Sequence, residues 1–386
     1  MSLWERLVGQ PAAVEQLRRA VEDAHSSRKS GSAMTHAWLF TGPPGAGRST
    51  AALLFAASLV CEQGGCGECA HCRSVLDDVH PDVTRFVPEQ ITITRDEAEA
   101  LMREASLTPS RARYRVIVVE DADRLSEVSG NMLLKSIEEP GEACIWLLCS
   151  PAADDVLPTI RSRCRQLNLV TPPWREVAKL LQREGIDPAM AAFAARVTQG
   201  HAGRARGLAT SEASRIRRQD ILRIPSQLHD LAACFIAAKE IVEVATEEAN
   251  AEMDVKDAAE RERLLSSYGV EGGGDPRAER SARGAVKDLE TRQKSRRTRA
   301  VRDRLDQALV DLLSYYRDVL VVQVADGAVE LVNEELRPQI SELARNSDPA
   351  KTRRRMEAIE RARRLFASNA SPQLILESLT IELARA

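Results

Sequence analysis

The feature that most limits the fold of this chain is a glycine-rich run at residues 42–50, GPPGAGRST. It follows the apolar tetrad 37–40 and leads into a helical pattern. A strand, a glycine-rich turn and a helix in this order form a phosphate-binding loop, because backbone N–H groups and the helix N-terminus surround anionic oxygens. A glycine turn without a ligand is the alternative. The nucleotide-binding residues predicted in this loop are Gly42, Gly45, Gly47, Arg48, Ser49 and Thr50.

One position in the loop departs from the usual motif, since Arg48 stands in place of the lysine. A lysine is a compact point charge that reaches the β- and γ-phosphates, whereas arginine is a broad planar fork. Arg48 can still bind a phosphate bidentately, but the geometry of the transition state need not survive. The hydroxyl of Ser49 would face Mg²⁺. The loop therefore predicts phosphate binding with weak or absent hydrolysis.

Apolar tetrads also lie at residues 116–119 and 145–148, with helical patterns between them. Continuous apolar runs of this length are typical of parallel strands covered on both faces by helices. Residues 94–97 form a capping-box pattern ahead of a helix at 98–107. An apolar stripe at 133–137 indicates a further helix. We predict a doubly wound α/β fold for this half of the chain.

The chain changes character near residue 172, where strand-like runs stop. Residues 174–184, 188–199 and 205–209 have the patterns of short helices, and the apolar spacing at 221–244 and 308–324 is typical of packed helices. We therefore predict three domains. They are an α/β P-loop domain over residues 1–168, a small helical lid over 169–208 and an all-helical domain over 209–386.

A charged insertion at about residues 243–304 interrupts the last domain. An acidic block at 243–260 is followed by the glycines 272–274 and a basic block at 277–304. This pattern favours either a solvated helical hairpin or a partly disordered segment. The basic block could also bind DNA, but Tyr268 is the only aromatic residue of the insertion, and nucleic-acid surfaces usually interleave aromatic and basic residues.

An acidic pair, Glu120 and Asp121, follows the strand predicted at 116–119. AAA+ ATPases usually place an aspartate first, to hold Mg²⁺, and a glutamate second, to polarise the attacking water. The order is reversed here, so each group moves by about one methylene, and displacements of about 1 Å can cost about 10²-fold in rate. Together with Arg48, the reversal predicts that ATP or ADP binding with Mg²⁺ survives better than turnover.

Four of the eight cysteines lie in one short stretch with the spacing C-x4-C-x2-C-x2-C. In a reducing compartment this clustering favours a metal over disulfides. Four thiolates complete a tetrahedral Zn²⁺ site and leave no position for a catalytic water. Free thiols are the alternative, and His71 is interpreted as a bystander. The predicted ligands of this structural zinc are Cys61, Cys66, Cys69 and Cys72.

Arg161, Arg163 and Arg165 alternate near the end of the first domain. In an extended segment they would share one face. Taken alone, a small basic face of this kind is most often simply solvated.

Taken together, these motifs resemble the clamp-loader subunits of bacterial DNA polymerase III, a family of AAA+ proteins, and within it most of all the delta-prime members. The runs N-x-L-L-K-x-x-E-E-P at 131–140 and S-R-C at 162–164 are specific to this family, and a cysteine-rich insert after the P-loop helix is nearly as specific. The other matching segments are 8–10, 36–47, 80–82, 120–123 and 157–161.

The resemblance implies a three-domain subunit whose C-terminal helical collar joins it to others in a ring. In this family the arginine of S-R-C, here Arg163, is an arginine finger that acts on the ATP of a neighbouring subunit, and such fingers supply about 10³–10⁵ in rate. Delta-prime members typically do not hydrolyse ATP, which agrees with Arg48 and the reversed acidic pair. Gly203, with Arg204 beside it, stands where gamma/tau members have a sensor arginine.

We therefore expect a scaffold subunit of the DNA polymerase III holoenzyme, without a polymerase active site and with a degenerate ATPase site. It would help to load the sliding clamp on primed DNA. Its expected partners are gamma/tau-like ATPases, a delta-like subunit, the sliding clamp and, through the assembled complex, primed DNA.

Two alternatives stay open. An active gamma/tau-like ATPase is disfavoured by Arg48 and the Glu120–Asp121 order, and a zinc-dependent nucleic-acid-binding protein is disfavoured by the net charge of −3. No apolar run approaches the roughly 20 residues that span a bilayer. The N-terminus also carries no apolar core of a signal peptide, so we expect a cytoplasmic, replisome-associated protein.

Overall fold

A computed structural model of the chain divides into two compact units, Met1–Ser211 and Glu212–Ala386. The residues that it describes are 3–26, 33–88, 90, 92–141, 143–267, 276–325, 327–366 and 370–385.

The first unit contains a five-stranded sheet with the order β2-β3-β4-β1-β5, in which every neighbouring pair is parallel. The tetrads predicted at 37–40, 116–119 and 145–148 are β1, β3 and β4, so the three central strands are confirmed. The strands are β1 (Ala37–Thr41), β2 (Val83–Phe86), β3 (Arg115–Val119), β4 (Cys144–Ser150) and β5 (Arg165–Asn168).

The sheet is buried between two layers of helices. Trp38 and Phe40 of β1 pack on one side with Phe55, and Leu39 of the same strand packs on the other with Leu133. Alternate residues of one strand therefore serve two cores, which confirms the doubly wound α/β fold. The helices are α1 (Pro11–His25), α2 (Arg48–Val60), α3 (Ala70–Leu76), α4 (Arg95–Ser106), α5 (Glu127–Glu138) and α6 (Pro158–Arg161).

Three further helices of the first unit form a cluster with its own apolar core. They are α7 (Trp174–Arg183), α8 (Pro188–Val197) and α9 (Ala202–Thr210). Val177 and Leu181 pack there against Ala191, Ala194 and Leu208. These helices correspond to the patterns expected for a small lid, while the exact domain boundaries stay a prediction.

The second unit consists of helices joined by loops, with no strand among its described residues. Its core is formed by Leu309, Tyr316, Ile359 and Leu376, all of which are buried. The apolar pattern at 221–244 is shared between two helices, which end and begin on either side of residues 228–230. The helices are α10 (Glu212–Gln227), α11 (Leu231–Ser267), α12 (Pro276–Val324), α13 (Arg337–Asn346), α14 (Pro349–Phe366) and α15 (Pro372–Arg385).

The charged insertion is formed by the adjoining parts of α11 and α12, which pack antiparallel. Arg296 lies 2.6 Å from Glu260, and Arg297 lies 2.7 Å from both Asp254 and Asp257. Asp257 is buried between the two arginines. At these positions the acidic and basic blocks therefore form ion pairs across the two helices.

The described part of the insertion thus agrees with the expected helical hairpin. The glycines at 272–274 and Tyr268 lie outside the described residues. Among the described helices, none combines the length and apolarity needed to cross a bilayer.

Candidate functional site

The glycine-rich loop connects the carboxyl end of β1 to the N-terminus of α2. Gly42, Gly45 and Gly47 all have positive φ angles, of 148°, 87° and 89°. A Cβ at Gly42 would lie only 2.4 Å from the carbonyl oxygen of Leu169, so a side chain is excluded there. Gly47, the N-cap residue of α2, has no side chain to cap the first turn, so the N–H groups of that turn are directed at the loop. This is the backbone geometry of an anion-binding site.

Arg48, in the lysine position, is turned back onto its own loop. Its guanidinium donates a hydrogen bond to the carbonyl oxygen of Gly42. The cation that would reach for phosphates is therefore occupied by the loop backbone. Thr50 lies in the first turn of α2 and is exposed.

Glu120 is held between two donors at the end of β3. The hydroxyl of Ser49 donates to its Oε2 over 2.7 Å, and Nε of Arg85 donates to its Oε1 over 2.7 Å. The second guanidinium contact to Oε1 is 2.6 Å. The carboxylate in the metal position is thus neutralised by an arginine from β2, and Mg²⁺ would have to compete with that charge.

Asp121, in the position of the catalytic base, takes the left-handed conformation with φ of 48°. Its carboxylate lies 3.5 Å from the guanidinium of Arg124. The structure therefore brings Ser49 and Glu120 into direct contact, while Asp121 has a separate ion pair. Sequence reasoning missed Arg85, because β2 is half-buried along its length and carries no apolar run.

His201 lies over the loop from the N-terminus of α9. A Cβ at Gly45 would be 2.6 Å from Cγ of His201, so only glycine permits this approach. Nδ1 of the ring accepts a hydrogen bond from the N–H of Arg204 over 3.3 Å, which leaves the proton on Nε2. Burial lowers the pKa of His201 to about 4, and Arg204 and Arg48 act in the same direction.

His201 was not identified from the sequence, since a lone histidine in a helical pattern gives no signal. The predicted sensor position, Gly203, lies in the first turn of α9. A Cβ there would meet the His201 ring at 3.6 Å. Gly203 itself has no side chain that could contact a phosphate. The positive charges near His201 belong to Arg204 and Arg48.

The four cysteines of the predicted zinc site converge. All four sulfur atoms lie within 4.8 Å of one another. Sγ of Cys61 lies 3.7 Å from Sγ of Cys66 and from Sγ of Cys69. A tetrahedron with Zn–S bonds of about 2.3 Å has edges of about 3.8 Å. Because the spacing and the ligand type both match, the cluster fits a structural zinc ion.

The protonation of these thiols depends on their surroundings. Hydrogen bonds from the backbone at Glu68 and Cys69 lower the pKa of Cys66 to about 7. Burial raises the pKa of Cys72 and of Cys69. The Cys66 thiol thus loses its proton readily near neutral pH. Cys69 and Cys72 would lose theirs on binding a metal ion.

His71 bonds to a histidine outside the cluster. Its Nδ1 lies 2.8 Å from Nε2 of His80, whose Nδ1 accepts from the N–H of Asp82 over 3.0 Å. Asp82 is fully buried and accepts hydrogen bonds from the backbone N–H groups of residues 110–112. Although burial alone would raise it, these bonds lower the pKa of Asp82. Through these hydrogen bonds, residues 80–82 connect the segment that carries the four cysteines to the loop before β3.

Arg163 lies in the turn after α6 and is paired with Glu138, the last residue of α5. The expectation that Arg161, Arg163 and Arg165 share one face is wrong. Because residues 158–161 are helical and a turn follows them, the three side chains diverge. Arg161 pairs with Asp154, and the guanidinium of Arg165 lies over the ring of Trp38 at 5.3 Å.

Comparisons with known proteins find similarity to subunits of bacterial DNA polymerase III. Residues 9–173 match the family described as DNA polymerase III, delta subunit. The chain is 31% identical over 168 residues to the delta-prime subunit of Bacillus subtilis, which covers 43% of this chain and 51% of that protein. It is also 31% identical over 169 residues to the tau subunit of the same organism, with 43% of this chain and 28% of that protein covered.

A third relative is the delta-prime subunit of Pseudomonas aeruginosa, which is 36% identical over 137 residues. That match covers 34% of this chain and 42% of the relative. The chain therefore spans about half the length, or less, of these relatives.

The His201 ring leads to a pH-dependent stability. The unfolded imidazole takes up a proton below about pH 6.5, whereas the folded one does so only near pH 4. The contribution of neutral His201 to the free energy of unfolding is therefore complete above about pH 6.5. As the pH falls towards 4, the free energy of unfolding decreases by about 3 kcal/mol. We expect His201→Gln to reduce the loss of unfolding free energy between about pH 7 and pH 4.5, measured by urea denaturation.

The exposed His229 provides the control. His229→Gln should keep the wild-type pH dependence of unfolding. Equal slopes for His201→Gln and the wild type would show that the His201 ring is not held neutral against the loop.

Proposed function

We propose that this chain is a delta-prime-like clamp-loader subunit of DNA polymerase III, because residues 9–173 match the DNA polymerase III delta-subunit family and delta-prime and tau relatives are similar to it. It acts as a scaffold in a complex that loads the sliding clamp on primed DNA. Its own ATP hydrolysis is weak or absent, and it supplies Arg163 as an arginine finger to a neighbouring ATPase subunit.

The observation that carries this proposal is the internal pairing of the nucleotide loop. Arg48 bonds to Gly42, Ser49 bonds to Glu120, and Arg85 neutralises Glu120. Bound ATP with Mg²⁺ would have to displace Arg85 from Glu120 and turn Arg48 outwards. Each of these changes breaks one ion pair or hydrogen bond in order to form another. Little net binding energy is therefore left to stabilise a transition state. Phosphoryl transfer requires the loop cation and the metal-binding carboxylate to be oriented towards the nucleotide before the reaction.

A gamma/tau-like ATPase is the second candidate, and similarity alone does not separate the two. The delta-prime and tau relatives from Bacillus subtilis are both 31% identical to this chain. The chemistry of the loop favours the delta-prime assignment, because the lysine position, the metal position and the base position all carry altered groups. Gly203 also provides no sensor side chain.

Arg163 lies at the surface, where it can act on another molecule. Its side chain is 37% exposed, and it follows the short helix α6 at the surface of the first unit. A guanidinium in this position can enter the site of an adjoining subunit and stabilise charge on the γ-phosphate. The partners in this proposal are gamma/tau-like ATPases, a delta-like subunit, the sliding clamp and, through the complex, primed DNA. The helical second unit would be the collar.

Cys61, Cys66, Cys69 and Cys72 would hold a structural Zn²⁺ ion. The ion would fix the end of α2 to the start of α3, because Cys61 follows the former and Cys69 caps the latter. It adds no chemistry to nucleotide turnover, since four thiolates fill its coordination sphere.

A double substitution tests the zinc assignment. Cys66→Ser with Cys69→Ser removes two ligands, so purified protein should lose its zinc, measured by elemental mass spectrometry, and melt at a lower temperature. Cys164→Ser with Cys234→Ser leaves the cluster intact and should retain about one zinc per chain. Wild-type protein that carries no zinc after purification under reducing conditions would contradict the assignment.

Arg163→Ala tests the proposed function directly. In a complex reconstituted with gamma/tau-like and delta-like subunits, the substitution should lower the rate of ATP hydrolysis about 10³–10⁵-fold at the site that Arg163 serves. Total ATPase activity should fall accordingly, whereas folding and zinc content of the isolated chain should not change. The matched control is Arg161→Ala, which removes a neighbouring arginine that is paired with Asp154 and has no proposed role in trans. Equal ATPase activity of the Arg163→Ala and wild-type complexes would remove the finger assignment.

A further inference from the structure

We propose that Glu138 is a positioning residue that holds Arg163 on its own chain and releases it when the arginine engages a neighbouring phosphate. This inference rests on the function proposed above. It adds a second residue to the arginine finger, contributed by the C-terminal end of α5.

The contacts of Arg163 occupy all three nitrogens of its guanidinium. Nε and Nη2 both contact Oε1 of Glu138. Nη1 donates to the carbonyl oxygen of Thr159 over 2.7 Å and to the hydroxyl of Ser162 over 3.2 Å. The side chain is thus docked against α5 and α6. It cannot make bidentate contact with a phosphate without leaving at least one of these acceptors.

A carboxylate and a phosphate compete for the same face of the guanidinium. Both accept paired hydrogen bonds from the arginine fork, and the fork matches either in geometry. A neighbour's γ-phosphate that binds the Nε and Nη2 side of Arg163 displaces Oε1 of Glu138. Glu138 therefore acts as a substitute anion that keeps the guanidinium oriented while no phosphate is present.

The placement of Glu138 supports a role beyond stabilising its helix. It is the final residue of α5 and is followed by Glu139. Carboxylates are unfavourable at a helix C-terminus, where the carbonyl groups are already negative. The guanidinium of Arg163 compensates for this unfavourable charge, so the two residues stabilise each other in the docked arrangement.

The hold is weak enough to be reversible. The side chains of Arg163 and Glu138 are 37% and 41% exposed, and exposed pairs of this kind shift an equilibrium by at most about five-fold. A γ-phosphate with its higher charge can therefore outcompete Glu138. The expected effect of removing the carboxylate is a modest gain in the engaged population of Arg163.

The test uses Glu138→Gln in the reconstituted complex. At saturating ATP, kcat should rise about two- to five-fold, because the neutral amide holds the guanidinium less strongly. Glu139→Gln, which removes the adjacent charge, should leave kcat unchanged. In the Arg163→Ala background, Glu138→Gln should have no effect, since its action requires the arginine. An unchanged or lower kcat for Glu138→Gln would overturn the inference.

A second readout separates this inference from the proposed function. In the isolated chain, the Nε–Hε signal of Arg163, followed by NMR, should shift and exchange faster with water in Glu138→Gln but not in Glu139→Gln. An unshifted signal would show that the pair does not form, whatever the ATPase data give. If the signal shifts but Arg163→Ala leaves complex activity intact, the finger assignment itself fails.

Discussion

The interaction on which the account depends is the pairing of Glu120 with Ser49 and Arg85. It connects the N-terminus of α2, the end of β3 and the edge strand β2 through one carboxylate. In a nucleotide-hydrolysing site that carboxylate would face a metal ion. Here it already has a cation of its own, so the glycine loop keeps its shape while the side chains of Arg48, Ser49 and Glu120 are paired within the chain.

The small helical cluster completes this closed arrangement. His201, at the start of α9, lies against Gly45 and is kept neutral by burial. A neutral ring can lie near Arg48 and Arg204 without adding a third positive charge. The loop is therefore covered by a side chain from the same unit, which explains why position 45 must be glycine.

The sequence predicted the parts of the fold that have a repeated apolar pattern or closely spaced ligands. It could not predict pairings between residues that are distant in the chain. The buried tetrads of β1, β3 and β4 were predictable because central parallel strands are apolar on both faces. Edge strands β2 and β5 lack that pattern, so Arg85 and its contact with Glu120 were not foreseen. The cysteine cluster was predictable because its ligands are local in the chain. The placement of His201 and the pairing of Arg163 with Glu138 depend on tertiary packing, which spacing alone does not encode.

We propose that this chain keeps the form of an ATPase loop without its activity, and steady-state ATP consumption by the isolated chain tests this proposal most directly. The account predicts that purified protein, with saturating ATP and Mg²⁺ and no other subunit present, releases phosphate no faster than a matched sample without protein. Sustained turnover by the isolated chain, at rates comparable to those of active ATPases, would contradict it.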